Sequence, residues 1–137
     1  MRPYLFAYIA TAVAFCALDF TWLGLVAPTF YKSQIGTLLL AEPKLTPALV
    51  FYVLYVAGLV IFCVMPGIEA GSWMKAGILG GLFGLFAYAT YDLSNLATLK
   101  NWTVQLSIVD MVWGSVASVA ASTCGYLGAQ FMARVAH

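Results

Sequence analysis

Four long apolar runs dominate the sequence and limit the folds that the chain can adopt. They cover roughly residues 3–26, 47–65, 73–99 and 104–133. About 20 helical residues cross the hydrocarbon core of a bilayer, and a backbone in lipid must satisfy its own polar groups within helices or a closed barrel. The sequence therefore predicts an all-α fold, an integral membrane four-helix bundle that forms a single transmembrane domain over residues 1–137.

The composition favours the bilayer as the solvent of this chain. Apolar residues make up 64% of the sequence and charged residues only 8%, whereas about a quarter of a soluble domain is charged. The net charge of +1 provides no basic face for nucleic acid. The cysteines lie in separate runs without CxxC spacing, and the single histidine is His137. The sequence therefore predicts no metal site and no cofactor.

The first run follows Arg2 and superficially resembles a signal peptide. It is about 24 residues long and contains Asp19, which is unusual in the hydrophobic core of a cleaved signal. We therefore expect it to be a retained first helix.

Residues that commonly begin or end helices stand at the edges of the runs. They are Thr46 and Pro47 before the second run, Pro66 and Gly67 after it, Ser72 before the third, and Asn101 or Thr103 before the fourth. Between the first two runs, residues 27–46 interleave Pro28, Tyr31, Lys32, Pro43 and Lys44 with apolar side chains. This mixture predicts an interfacial or partly re-entrant segment that can cover a site.

Small residues form stripes on the last two predicted helices. The third run contains Gly77, Gly80, Gly81 and Gly84, and the fourth contains Gly114, Ser118 and Ser122. Such stripes let helix backbones approach closely in lipid. Two interpretations remain: tight packing inside one chain, or a homodimer formed through these faces.

Three carboxylates lie inside the apolar runs, at Asp19, Asp92 and Asp110. An aspartate at bilayer depth costs about 3 kcal/mol on insertion scales, so each needs a partner, a proton or water. Counted from the helix ends at about 1.5 Å per residue, each lies about 10 Å below the same membrane face. We therefore expect the three acids to meet at one level of the bundle.

Aromatic and amide side chains accompany these acids at helical spacing. Each of Asp19 and Asp110 is followed three residues later by a tryptophan, which places acid and indole on a shared helix face. The predicted ligand-binding set is Asp19, Trp22, Tyr52, Tyr55, Tyr88, Tyr91, Asp92, Asn95, Asp110 and Trp113. The alternative interpretation is that these polar groups only join the helices and that the aromatic residues are interfacial anchors, the role we assign to Trp73 and Trp102.

Three ionised carboxylates packed together would repel one another, so some must hold a proton or share a cation. The candidate countercharges are Lys32, Lys44 and Lys100, whose long side chains can reach inward from the interface. If they pair with the acids, the site suits a zwitterion or an amphipathic ligand better than a bare cation.

The segments around the acids resemble a known family. They are LDFTWLG at residues 18–24, YATYDLSNLATLK at 88–100 and VDMVWG at 109–114. Over nearly its whole length the chain resembles the domain-of-unknown-function 2177 family of small bacterial inner-membrane proteins. The resemblance implies a multi-pass protein of the bacterial inner (cytoplasmic) membrane, and it assigns no catalytic residue.

The intramembrane acids lead to three functional hypotheses. The first is binding or translocation of a small cationic or amphipathic ligand, with protonation of the acids as the coupling event. The second is a membrane-embedded enzyme acting on a lipid, with the acids as general acid and base or as Mg²⁺ ligands, although the runs contain no histidine and no serine nucleophile motif. The third is an accessory subunit of a larger assembly. The expected partners are membrane lipid, a small-molecule ligand and a second copy of the chain, with no nucleic acid.

Overall fold

The fold is all-α, as the sequence predicts. A computed structural model describes residues 2–40 and 44–135, so that Pro43 and His137 lie outside the described residues. Over the described ranges, the chain has no strand and has four helices long and apolar enough to cross a membrane. These spans, numbered first to fourth below, are Pro3–Leu25, Leu45–Ala70, Trp73–Thr98 and Val104–Val135.

The secondary structure divides the described chain into six α-helices and three tighter or wider helical turns. The α-helices are α1 (Arg2–Leu25), α2 (Lys32–Ile35), α3 (Leu45–Leu59), α4 (Met65–Ala70), α5 (Trp73–Thr98) and α6 (Val104–Val135). Two turns are π-helical, at Ala27–Tyr31 and Val60–Val64, and one is 3-10 helical, at Gly36–Leu38. The second span is therefore α3, a π-helical turn and α4 in continuous succession.

Large apolar side chains cover the outside of the bundle. Leu54, Phe62, Phe86 and Phe131, for example, are each more than three-fifths exposed. Soluble proteins rarely expose apolar patches of this extent, but such a surface is the one that lipid tails solvate. The exposed apolar surface and the lengths of the spans together support a membrane-embedded bundle.

The fourth span lies at the centre of the packing, with the third and the first spans in extensive contact with it. The third span lies very close to the fourth because its glycines have no side chains. A Cβ atom on Gly80 would lie 2.6 Å from the carbonyl oxygen of Ser118, and one on Gly84 would lie 2.6 Å from the Ser118 hydroxyl. The glycine stripe of the third span is thus used within the chain. A homodimer through small-residue faces stays a prediction.

The second span is longer than the sequence predicts. The expectation that Pro66 and Gly67 end it was wrong, because the helix continues to Ala70 and ends at Gly71, which has a φ of 64°. The π-helical turn Val60–Val64 widens the helix just before Pro66. Pro66 then lies in the first turn of the next α-helical segment, where a missing N–H is tolerated.

The helix starts also differ in part from the predicted ones. Thr46 does not cap the second span, which begins at Leu45 and has no side-chain cap. Pro47 is tolerated there because the first N–H groups of a helix have no intrahelical partner. The other predicted caps are present: Ser72 Oγ accepts the Lys75 N–H at 3.0 Å. At the fourth span the cap is Thr103.

Thr103 Oγ1 accepts the Leu106 N–H at 3.0 Å, whereas Asn101 lies in the preceding turn with a φ of 66°. The Thr103 hydroxyl also donates to Gln34 Oε1. This contact ties the segment after the first span to the start of the fourth. Through it, the described part of the predicted interfacial segment is held against the end of the bundle at which the site lies.

Candidate functional site

A partly open cavity of about 470 Å³ lies in one half of the bundle. All four spans and the segment after the first span line it, through Asp19, Trp22, Leu23, Tyr31, Phe51, Tyr55, Ala87, Tyr88, Tyr91 and Asp110. Most of this wall is aromatic. The two carboxylates are the charged groups among the described residues that line it.

Asp19 is almost fully buried and is held by two neutral donors. Its Oδ2 accepts the hydroxyl hydrogen of Tyr52, and its Oδ1 accepts the indole N–H of Trp113 at 3.3 Å. Both carboxyl oxygens are therefore held by hydrogen-bond donors that carry no charge. Asp19 has no basic partner among the described residues that line the cavity.

Two stacked indoles connect Asp19 to the other side of the site. The rings of Trp22 and Trp113 lie 4.3 Å apart between centroids, with an interplanar angle of 8°. The Trp22 indole N–H in turn donates to the hydroxyl of Tyr31 at 2.9 Å. Each tryptophan stands three residues after an acid in its own helix, which places acid and indole on one helix face. The indole that binds Asp19, however, is that of Trp113 from the other helix.

Tyr31 contacts the second carboxylate of the cavity wall. Its hydroxyl donates to Oδ1 of Asp110, which is almost fully buried. Burial, followed by the hydrogen bond to Asp110, raises the pKa of the Tyr31 hydroxyl above its ordinary value. Tyr31 therefore keeps its proton at neutral pH and acts as a hydrogen-bond donor to the acid.

Asp92 is the third acid, and it differs from the other two. It is fully buried, and neither of its carboxyl oxygens has a hydrogen-bond partner in the described part of the chain. It lies beside Asp110 and is not one of the cavity-lining residues. It shares a helix face with the wall residue Tyr88 but lies one turn further along the third span.

The predicted ligand-binding residues fall into four groups. Asp19, Trp22, Tyr55, Tyr88, Tyr91 and Asp110 line the cavity. Tyr52 and Trp113 contact Asp19 from the side, and Asp92 lies beside Asp110. Asn95 is half-buried and does not belong to the described cavity wall. The structure thus places nine of the ten on the cavity wall or beside one of its carboxyl groups, and Asn95 lies next to the wall residue Tyr91, one helical turn further along.

Four lining residues were not predicted: Leu23, Tyr31, Phe51 and Ala87. A partial signal existed for Tyr31, an aromatic residue in the segment expected to cover a site. Phe51 stands four residues before Tyr55, which places both on one helix face. No sequence signal distinguished Leu23 and Ala87 from other apolar residues of the spans.

The lysines expected as countercharges do not take that role. Lys32, Lys44 and Lys100 are exposed, and the hydrogen bonds to Asp19 and Asp110 come instead from tyrosines and a tryptophan. Solvation explains the difference, since a lysine at a helix end keeps its ammonium group in the interface. The described cavity wall therefore carries acidic groups and no basic one.

Within residues 2–40 and 44–135, no group of three or more histidine, cysteine, aspartate or glutamate side chains is placed to hold a metal ion.

Comparison with known proteins gives one family match. The model of a family described as "Predicted membrane protein (DUF2177)" matches residues 4–127. No curated protein matches the chain, and no solved structure does.

Proposed function

The chain belongs to the DUF2177 family of predicted membrane proteins, and we propose that it binds a small cationic or amphipathic ligand in the aspartate-lined cavity. We propose the bacterial inner (cytoplasmic) membrane as its location, on the basis of the sequence resemblance. The observation that carries the proposed binding is the cavity wall itself, which combines two carboxylates with aromatic rings and includes no described basic residue.

The charge balance of the cavity favours a cation. Asp19 accepts hydrogen bonds from Tyr52 and Trp113 at its two oxygens, and no basic residue stands among the described residues of the cavity wall. An ionised group in an apolar environment is costly without an opposite charge nearby. A bound cation supplies that charge, whereas an anion or a phosphate group would meet repulsion and no basic partner.

The aromatic wall indicates an organic cation. Trp22, Tyr55, Tyr88 and Tyr91 all line the cavity, and aromatic faces attract ammonium groups within about 6 Å of the ring centre. The volume of about 470 Å³ lies in the range of sites for small organic molecules, about 300–1,000 Å³. An alkyl- or aryl-substituted ammonium ion therefore fits both the charge and the size of the cavity.

The open side of the cavity suits an amphipathic ligand. Leu23 and Phe51 are each 43% exposed, and Tyr91 is 56% exposed, although all three belong to membrane spans. The apolar part of a ligand can thus extend past these residues towards lipid while its cationic group stays beside Asp19. An apolar tail is stabilised there in the same way as the surface of the spans.

The packing beyond the cavity favours binding over translocation as the primary activity. Phe15 lies one helical turn deeper than Asp19 and is fully buried, as is Leu59 of the second span. Passage to the opposite side of the membrane would require these spans to separate. We therefore propose binding from one side, with translocation as an additional step that requires this packing to open.

Calorimetric titration tests the proposal, with the purified protein in lipid nanodiscs and benzyltrimethylammonium as the probe. This probe carries a permanent charge and an aromatic body, and benzoate is an anionic probe of similar shape. We expect saturable binding of the cation and none of the anion. The variant Asp19→Asn should weaken binding at least about tenfold, because it removes the charge while keeping the shape of the side chain.

The matched control is Glu69→Gln, which neutralises an exposed acid outside the cavity. It should leave the affinity for the cation unchanged. The proposal is overturned if the wild-type protein shows no saturable cation binding, or if Asp19→Asn and Glu69→Gln have the same effect.

A further inference from the structure

The side chain of Asp92 is not part of the described cavity wall, and the proposed function gives it no role. It is fully buried, and both of its carboxyl oxygens lack a hydrogen-bond partner among the described residues. The helix register places it opposite Asp110 of the fourth span: the Tyr88 ring packs against Gly114, and Asp92 and Asp110 each lie one turn further along the two antiparallel helices. Only Asp110 of this pair faces the cavity.

Without a cation in the cavity, the pair cannot be fully ionised in such a place. Two adjacent carboxylates repel each other strongly where water is excluded, and a buried ionised group without a hydrogen-bond partner is costly. One shared proton removes the charge repulsion and also provides the missing hydrogen bond, because a protonated Asp92 donates to Asp110. Asp110 already accepts from Tyr31, so this second donor satisfies its other oxygen.

We propose that Asp92 is a proton-holding residue, that it shares one proton with Asp110, and that cation binding in the cavity releases this proton to solvent. This inference rests on the proposed function, since it concerns the same site. Besides Asp110, the titratable groups near Asp92 are Tyr31 from the connecting segment and Tyr91 from its own helix. The cation acts on the pair through Asp110, whose negative charge it stabilises.

The proposal separates the three acids by role. Asp19 has a neutral donor at each oxygen, and its role is to pair with the charge of the ligand. The Asp92–Asp110 pair holds and releases the proton. The cation acts on this pair through Asp110, the member that faces the cavity. Charge is balanced in the step: one cation enters, one proton leaves the pair, and the net charge of the site is unchanged.

The direction of the pH dependence follows from proton release. The ligand-bound protein holds fewer protons than the free protein, so a higher pH favours binding. The dissociation constant of a permanently charged cation should fall by up to about tenfold per pH unit while the pair titrates, and should become constant once the pair has lost its proton.

The test is the dissociation constant of benzyltrimethylammonium in nanodiscs, measured between about pH 5 and pH 9. Wild-type protein should show the pH dependence described above. In Asp92→Asn the amide keeps the shape of the side chain and donates to Asp110, but it has no proton to release. This variant should bind the cation with an affinity that does not change with pH. Asp19→Asn should bind more weakly and retain the wild-type pH dependence.

Infrared difference spectroscopy provides a second test that needs no Asp92 variant. Addition of the cation to wild-type protein should reduce the carbonyl band of a protonated carboxyl group, and Glu69→Gln should behave in the same way. An unchanged carboxyl band on cation binding overturns the inference, and so does a pH dependence that is equal in wild type and Asp92→Asn. In both cases cation binding itself persists, whereas the failure of wild-type protein to bind at any pH contradicts the proposed function.

Discussion

The hydroxyl of Tyr31 is the most informative single group to remove, because it connects the segment after the first span to the acid pair. It donates to Asp110 and accepts the Trp22 indole N–H at 2.9 Å. The variant Tyr31→Phe keeps the ring and deletes both contacts. It leaves Asp110 without this donor and Trp22 without this acceptor.

The expected loss of stability follows from these two contacts. A hydrogen bond to a charged group contributes about 1.5–3 kcal/mol and a neutral one about 1 kcal/mol. Tyr31 is half-buried, so water replaces part of what is lost. We therefore expect Tyr31→Phe to lower the free energy of unfolding by about 2 kcal/mol.

The assay is reversible unfolding in mixed micelles with increasing denaturing detergent. The matched control is Tyr8→Phe, which removes an exposed hydroxyl that donates to the carbonyl oxygen of Val53 at 3.2 Å. That contact is neutral and open to solvent, so its loss should cost about 0.5 kcal/mol or less. Equal losses in the two variants would refute the view that Tyr31 holds the acid pair.

Three further predictions follow from the structure. Gly84→Ala should lower the free energy of unfolding by about 1–3 kcal/mol in the same assay, because its Cβ meets the Ser118 hydroxyl at 2.6 Å. Gly24→Ala, with open space around its Cβ, should change it by less than about 0.5 kcal/mol. Cation affinity should stay within about twofold of wild type in Lys32→Gln, Lys44→Gln and Lys100→Gln, because these lysines do not neutralise the acids. A large gain in affinity in any of these variants would contradict this prediction. Because the folded protein raises the pKa of Tyr31, the stabilising contribution of its hydroxyl should be complete below about pH 10 and should decline at higher pH. The difference in unfolding free energy between wild type and Tyr31→Phe, followed into alkaline pH, checks that sign.

The all-α membrane fold could be predicted from the sequence because it depends on local properties. The length of each apolar run and the scarcity of charge leave few alternatives to spanning helices. The prediction failed where a local signal was overridden by geometry. Pro66 normally ends a helix, but the preceding π-helical turn Val60–Val64 accommodates it, and no pattern in the sequence announces that turn.

The grouping of the acids could also be inferred from the sequence, but their separate environments could not. Counting residues from the helix ends places Asp19 and Asp110 at one depth, and the structure has both on the cavity wall. Whether Asp92 faces the cavity or a neighbouring helix depends on the rotation of the third span, which is set by its glycine contacts with the fourth. The role of Tyr31 depends on how residues 27–38 fold against the bundle, a long-range property.

The most direct test of the account is to locate the cation in the site. Crystals of the protein grown with 4-bromobenzyltrimethylammonium would show the bromine by its anomalous scattering. We expect one bromine position inside the cavity, with the ammonium group beside Asp19 and in contact with the Trp22 ring. A bromine position on the outer surface of the spans, or none in the cavity when the probe is saturating, would contradict it.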